Sequence, residues 1–239
     1  MHNMHVLFFA VGALLVTLGS SGVAAPLVVM EVRGTTLKTG ATIDSEKVLE
    51  LKEGERLVLI GADGRSVTLR GPFKDVPMKD SPPSLDRSKN LTALLTSRQA
   101  RTSAVGVVRA GAQMASIPEP WLLDVAESGR RCLPSEGAAV LWREEKGAAE
   151  SVSVLPADRS WRLDLEWAAG ADRLSLPANL GLSGLASVVV VRQSKEVSLS
   201  LSTVPVDIPD PMLVASWLFH KGCAQQSDAL LRQLAAQRW

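Results

Sequence analysis

The chain has 239 residues, with 26 Lys and Arg against 25 Asp and Glu, for a formal net charge of +1. Mixed charge this close to balance gives no long-range field for nucleic acid, which is set aside as a partner. Two cysteines, six tryptophans and no tyrosine stand out from a composition otherwise able to build a sizeable core.

Residues 6–18 (VLFFAVGALLVTL) form an apolar run, followed by small residues and by Val23-Ala24-Ala25, the small-x-small pattern cut by signal peptidase. A run of about 13 residues is short for a permanent span of a roughly 30 Å bilayer. Residues 1–25 are therefore read as a cleavable signal peptide and the rest as an exported, periplasmic protein. Met1 to His5 carry no Lys or Arg, so a leader retained as an anchor is the alternative, and membrane contact is expected only in that case.

The chain then opens on a β-like run at 27–32 and a loosely alternating KVLELK at 47–52. Residues 56–60 (RLVLI) and 65–70 (RSVTLR) flank Gly61-Ala62-Asp63-Gly64, which reads as a β-hairpin because an Asp-Gly turn favours positive φ. In its second arm Val67 and Leu69 share the core face, while Ser66, Thr68 and Arg70 share the other. Gly71-Pro72 ends that strand. Few large apolar groups, three prolines and many charges at 74–90 mark a boundary, with Asn90 expected to cap a short helix through Leu91–Leu95. The region up to Met114 is ambiguous.

From Trp121 on, short strands recur at 121–125, 138–143, 151–155, 161–167, 173–176, 187–192 and 197–204, separated by Gly, Pro and Asp. Segment 161–167 alternates throughout, placing Trp161, Leu163, Leu165 and Trp167 on one face and Arg162, Asp164 and Glu166 on the other. Arg143-Glu144-Glu145-Lys146 reads as a self-compensating solvated turn. Asp210-Pro211 then starts a helix as N-cap and N1 residue, Lys221-Gly222 ends it, and Leu230, Leu231, Leu234 and Ala235 form the stripe of a second helix. The fold class is mainly β: a small N-terminal β module at 26–76, a linker with a short helix at 77–116, and an Ig-like β-sandwich with two closing helices at 117–239.

In an oxidising compartment Cys132 and Cys223 most simply form one disulfide, with two buried free thiols as the alternative. Closing a loop of about 90 residues would restrict the unfolded chain by roughly 4 to 5 kcal/mol.

The stretches Leu37-Lys38-Thr39-Gly40-Ala41-Thr42-Ile43, Leu49 to Leu59, Asp63-Gly64 and Leu69-Arg70-Gly71-Pro72 resemble the FecR-type domain, a small β-rich module of bacterial periplasmic proteins. The resemblance covers about residues 27–75. Family members include transmembrane transducers that relay iron status to a sigma factor. The chain lacks their cytoplasmic domain and internal transmembrane helix, so the resemblance implies an envelope interaction module rather than that relay. The second half, with Trp121, Cys132, Trp142, Trp161, Trp217 and Gly222-Cys223, resembles uncharacterised proteobacterial exported proteins, which brings no activity with it.

Catalytic chemistry is sparse. His220 is the one histidine after the leader and sits at a helix end, where the dipole favours it. No Gly-x-Ser-x-Gly elbow accompanies it, and no fourth ligand completes a zinc site with Cys132 and Cys223. No metal or cofactor is expected. Asp164 and Glu166 share a strand face as an acid/base pair in a cell-wall or carbohydrate-active hydrolase would, although alternation on an exposed face explains them more simply. Trp161, Trp167 and Trp239 are candidate sugar or peptide platforms, with core packing the competing reading for the first two. These readings make the chain a non-enzymatic binding or scaffolding component of the bacterial envelope, whose partner is another envelope or inner-membrane protein. The hydrolase and an accessory sensor subunit of a membrane signalling protein are the alternatives.

Overall fold

The computed structural model describes residues 24–80, 83–105 and 116–237, and the side chains of these residues except 98–105. The apolar run of the leader, the stretch 106–115 and Trp239 lie outside the described residues.

The N-terminal half is built on an antiparallel sheet. Its strands are β1 (Pro26–Arg33), β2 (Thr42–Asp44), β4 (Arg56–Gly61) and β5 (Ser66–Arg70), in the order β2-β1-β4-β5. The hairpin expected from the Asp-Gly turn is β4–β5, with Ile60 opposite Ser66 and Arg56 opposite Arg70. Within 47–52 only β3 (Leu49–Leu51) is strand, and it pairs with β6 (Phe73–Asp75) in a separate two-stranded ribbon. Period two divides the apolar residues between the faces of the sheet. Leu27, Val29, Leu57, Leu59 and Leu69 pack under the ribbon with Leu51 and Ile43, whereas Val28, Met30, Val58 and Ile60 face the other way. A bulge between Val29 and Glu31 shifts the β1–β4 register by one residue.

Helix α1 (Arg87–Val105) is longer than expected and starts earlier. Its cap is Asp86, whose Oδ1 accepts from Ser88 N at 2.9 Å and Lys89 N at 3.3 Å. Asn90 is a buried residue of the helix, not its cap, and its side-chain amide donates to Ser84 O at 2.8 Å.

The second half is mainly β and sandwich-like, as expected. One sheet has the order β11-β10-β13-β14-β8, with β11 (Leu163–Trp167), β10 (Glu150–Pro156), β13 (Ser187–Arg192), β14 (Lys195–Thr203) and β8 (Gly129–Leu133). The other has the order β12-β9-β7, with β12 (Arg173–Ser175), β9 (Val140–Trp142) and β7 (Leu122–Asp124). Val152, Val154, Val188, Val190, Val197 and Leu199 meet Leu123 and Leu141 between them. Strand β8 is the addition to the strands expected from the sequence. It runs parallel to β14, and its Gly-Arg-Arg start hides it from any apolar pattern.

The two closing helices are α2 (Pro211–Lys221) and α3 (Ala224–Ala236). Asp210 Oδ1 caps α2 by accepting from Met212 N at 2.7 Å, and Gly222 ends it with φ +82°. Helix α2 does more than close the sandwich. Met212, Leu213, Ala215, Trp217 and Leu218 join Val28, Met30, Val58 and Ile60 of the N-terminal sheet, Leu94 of α1 and Leu230, Leu231 and Leu234 of α3 in one cluster. The Ser216 hydroxyl donates to Ala62 O at 3.1 Å. The hydrophobic core therefore crosses the linker between the two halves.

Gly71 shows how tightly the N-terminal module is drawn together. A Cβ placed there would stand 1.7 Å from the carbonyl oxygen of Lys52. Replacing Gly71 with Ala forces the backbone apart and should lower stability by about 1–3 kcal/mol, read as a drop in urea midpoint; an unchanged midpoint would show that the contact relaxes freely.

Candidate functional site

Cys132 on β8 and Cys223 at the α2–α3 corner form a disulfide, with Cα atoms 5.9 Å apart and both residues buried. Gly222 in the left-handed conformation turns the chain so that Cys223 faces β8. Gln226, one turn further on, reinforces the staple. Its Oε1 accepts from Cys132 N at 2.6 Å, and its Nε2 donates to Cys132 O at 2.6 Å and Pro120 O at 3.0 Å. The side chain thus completes the outer edge of β8 as another strand would.

Buried charge lies beside this corner. The Arg131 guanidinium donates to the carbonyls of Asp124, Arg130 and Glu127, and lies 3.8 Å from the Asp124 carboxylate. Asp124 also accepts from Gln225 Nε2 at 2.7 Å. Burial holds the Arg131 pKa below its ordinary value, against the pull of Asp124 and Glu127.

Arg143 corrects the expectation of a solvated turn. Only 3% exposed, it donates to the carbonyls of Ala171, Ala148 and Ala168 and to Glu150 Oε1 at 2.7 Å. Its guanidinium lies 4.8 Å from the centre of the Trp167 ring. Arg192 meets the same Glu150 oxygen at 2.7 Å, so one buried carboxylate holds two cations. Glu144, Glu145 and Lys146 are exposed. Sequence pattern hides this cluster because an Arg-Glu-Glu-Lys run looks the same whether its first residue points in or out.

Trp167 is wholly buried beneath these arginines, and Trp161 is half-buried against the same core. Asp164 and Glu166 lie exposed on β11, the outer strand of its sheet. The Ser153 hydroxyl, and after it Arg162 at 2.7 Å, hold the Asp164 carboxyl below the usual carboxylate range. A general acid needs the opposite shift. His220 lies in the last turn of α2, half-buried.

One group of charges has no partner of its own. Arg33, Arg56 and Arg70 occupy a single row across β1, β4 and β5, each directly opposite the next. All three are exposed. Every other arginine whose side chain is described has a hydrogen bond, an ion pair or another polar contact within the protein; these three have none among the described residues. Like charges directly opposite on a sheet destabilise it. The β1 bulge creates the arrangement: continuing the register of Leu27–Gly61 and Val29–Leu59 would set Arg33 opposite Glu55, whereas the shift sets it opposite Arg56.

Comparison with known protein families, curated proteins and solved structures found no match for this chain. Among the described residues no helix is long and apolar enough to cross a membrane, and no cluster of three or more His, Cys, Asp or Glu could hold a metal ion.

Two measurements check the buried groups. Thiol labelling of the unfolded, unreduced protein should find almost no free cysteine; two labelled thiols per chain would disprove the bridge. Glu150→Gln leaves Arg143 and Arg192 without their carboxylate and should cost about 3–5 kcal/mol in urea unfolding, the range for breaking a buried pair.

Proposed function

We propose that the chain is an exported, non-enzymatic binding or scaffolding component of the bacterial cell envelope, with an N-terminal module of the FecR-like kind. The disulfide supports an oxidising location. The observation that carries the reading is the free outer edge of β5.

Among the described residues no strand pairs with that edge. Gly61 N donates to Arg65 O at 2.9 Å, and at the far end Gly71 N donates to Glu55 O at 2.9 Å. Antiparallel ladders alternate bonded and non-bonded pairs, so Val67 and Leu69 bond to β4 while the N–H and C=O groups of Ser66, Thr68 and Arg70 point outward. Alongside runs a groove of about 490 Å³, bordered by Arg65, Val67, Met78, Lys79 and Ser97. An edge of this kind accepts an extended segment of a partner protein as a further strand. Main-chain bonds hold such a segment, and the groove selects among its side chains.

Thr68→Pro removes one outward N–H without touching the β4–β5 ladder, a place where edge strands tolerate proline. Tagged protein incubated with solubilised envelope should capture a partner that the variant captures at least tenfold less, with the variant's unfolding midpoint close to that of the parent. Equal capture by parent and variant would sink the strand-addition reading.

A further inference from the structure

We infer that Arg33, Arg56 and Arg70 form a docking face for the phosphate groups of an anionic phospholipid surface. The row is independent of the backbone edge of β5 and uses the side chains of three strands.

Its geometry is fixed by the sheet. Neighbouring strands lie about 4.8 Å apart, so three directly opposed arginines project from one face at that spacing and span about 10 Å. The strands beneath them are packed: Val58 is buried between Glu31 and Thr68 in the next row, and Leu57 and Leu69 are buried on the other face. Glu31 is the acidic group of that same face, one row away, and forms no ion pair with the row. Glu55 precedes Arg56 and so points to the opposite face, where its carboxylate accepts from Lys52 N at 2.7 Å. The row therefore keeps its positive charge, on a chain whose overall charge is only +1.

Guanidinium groups present a planar fork that matches phosphate oxygens two at a time. The ligand is argued from shape. The row stands at the exposed end of the face that α2 covers, beyond Val58, and the cavities bordering β5, the sandwich loops and Arg143 are lined by other residues. All three arginines are exposed, so a single small anion there would stay in water, where one exposed charge pair contributes little. Useful affinity then requires several phosphates presented together, as a headgroup layer presents them. A layer also accounts for a local patch on a nearly neutral protein, because exposed charges act over only about 8 Å at physiological salt.

The test uses the full chain with vesicles of phosphatidylcholine, alone or mixed about three to one with phosphatidylglycerol, in a sedimentation assay. Residues 6–18, being apolar, contribute to both compositions alike. The parent should partition onto the anionic vesicles at least tenfold more strongly than onto the neutral ones. Arg33→Gln, Arg56→Gln and Arg70→Gln together should weaken that partition about 100-fold, about fivefold for each arginine. A control carrying Arg159→Gln, Arg162→Gln and Arg173→Gln loses the same charge elsewhere and should stay within about threefold of the parent. The row variant should melt no lower than the parent, since a like-charge row is relieved. Equal losses in row and control variants, or equal binding to both vesicle types, would overturn the proposal. So would displacement by inorganic tripolyphosphate or by duplex DNA at concentrations below those of accessible lipid, which would assign the row to a soluble anion or to nucleic acid.

Discussion

Helix α2 has almost no solvent face, and the arrangement of the two halves depends on it. On one side it covers Val28, Met30, Val58 and Ile60; on the other it meets α3 and the buried Cys132. Burying four side chains of this size contributes on the order of 6–12 kcal/mol, comparable to the net stability of a whole domain. The N-terminal sheet cannot have both faces covered without α2. The disulfide and the Gln226 bonds hold the end of that helix to β8, so the sandwich and the N-terminal sheet are joined through one apolar element and one covalent staple.

Charge is distributed by the same logic. Arg131 and Arg143 are buried and satisfied largely by backbone carbonyls, which loops at the strand ends supply where no ladder uses them. The exposed outer strand β11 carries Arg162, Asp164 and Glu166 along or just before it, an arrangement that discourages edge-to-edge pairing with other chains. Asp164 is engaged by Ser153 and Arg162 and belongs to this protective pattern. Strand β5 lacks an acidic residue of this kind, which sets the two edges apart.

Much of the fold was legible in the sequence because it rests on local rules. The β4–β5 hairpin followed from its Asp-Gly turn, the sandwich strands from period-two runs, and the start of α2 from Asp210-Pro211. What was not legible depends on distant partners. Gly129-Arg130-Arg131 is an unpromising strand until β14 lies beside it and the carbonyls around Asp124 receive Arg131. Arg143 points inward because Glu150 and Arg192, seven and 49 positions further on, meet it. Asp86 rather than Asn90 caps α1 because the chain before the helix folds back, with Ser84 O taking the Asn90 amide. The arginine row was invisible for the same reason: its members are 23 and 14 positions apart in sequence and meet only through strand register.

The bulge in β1 has a consequence beyond bending the strand. The same residues in a straight ladder would set Arg33 against Glu55 on the opposite face, leaving only Arg56 and Arg70 side by side on this one. One extra residue in a strand therefore separates a pair of arginines from a row of three. Both would have the same composition and the same net charge of +1, so the property is encoded in alignment between strands and survives any substitution elsewhere that leaves Met30 bulged.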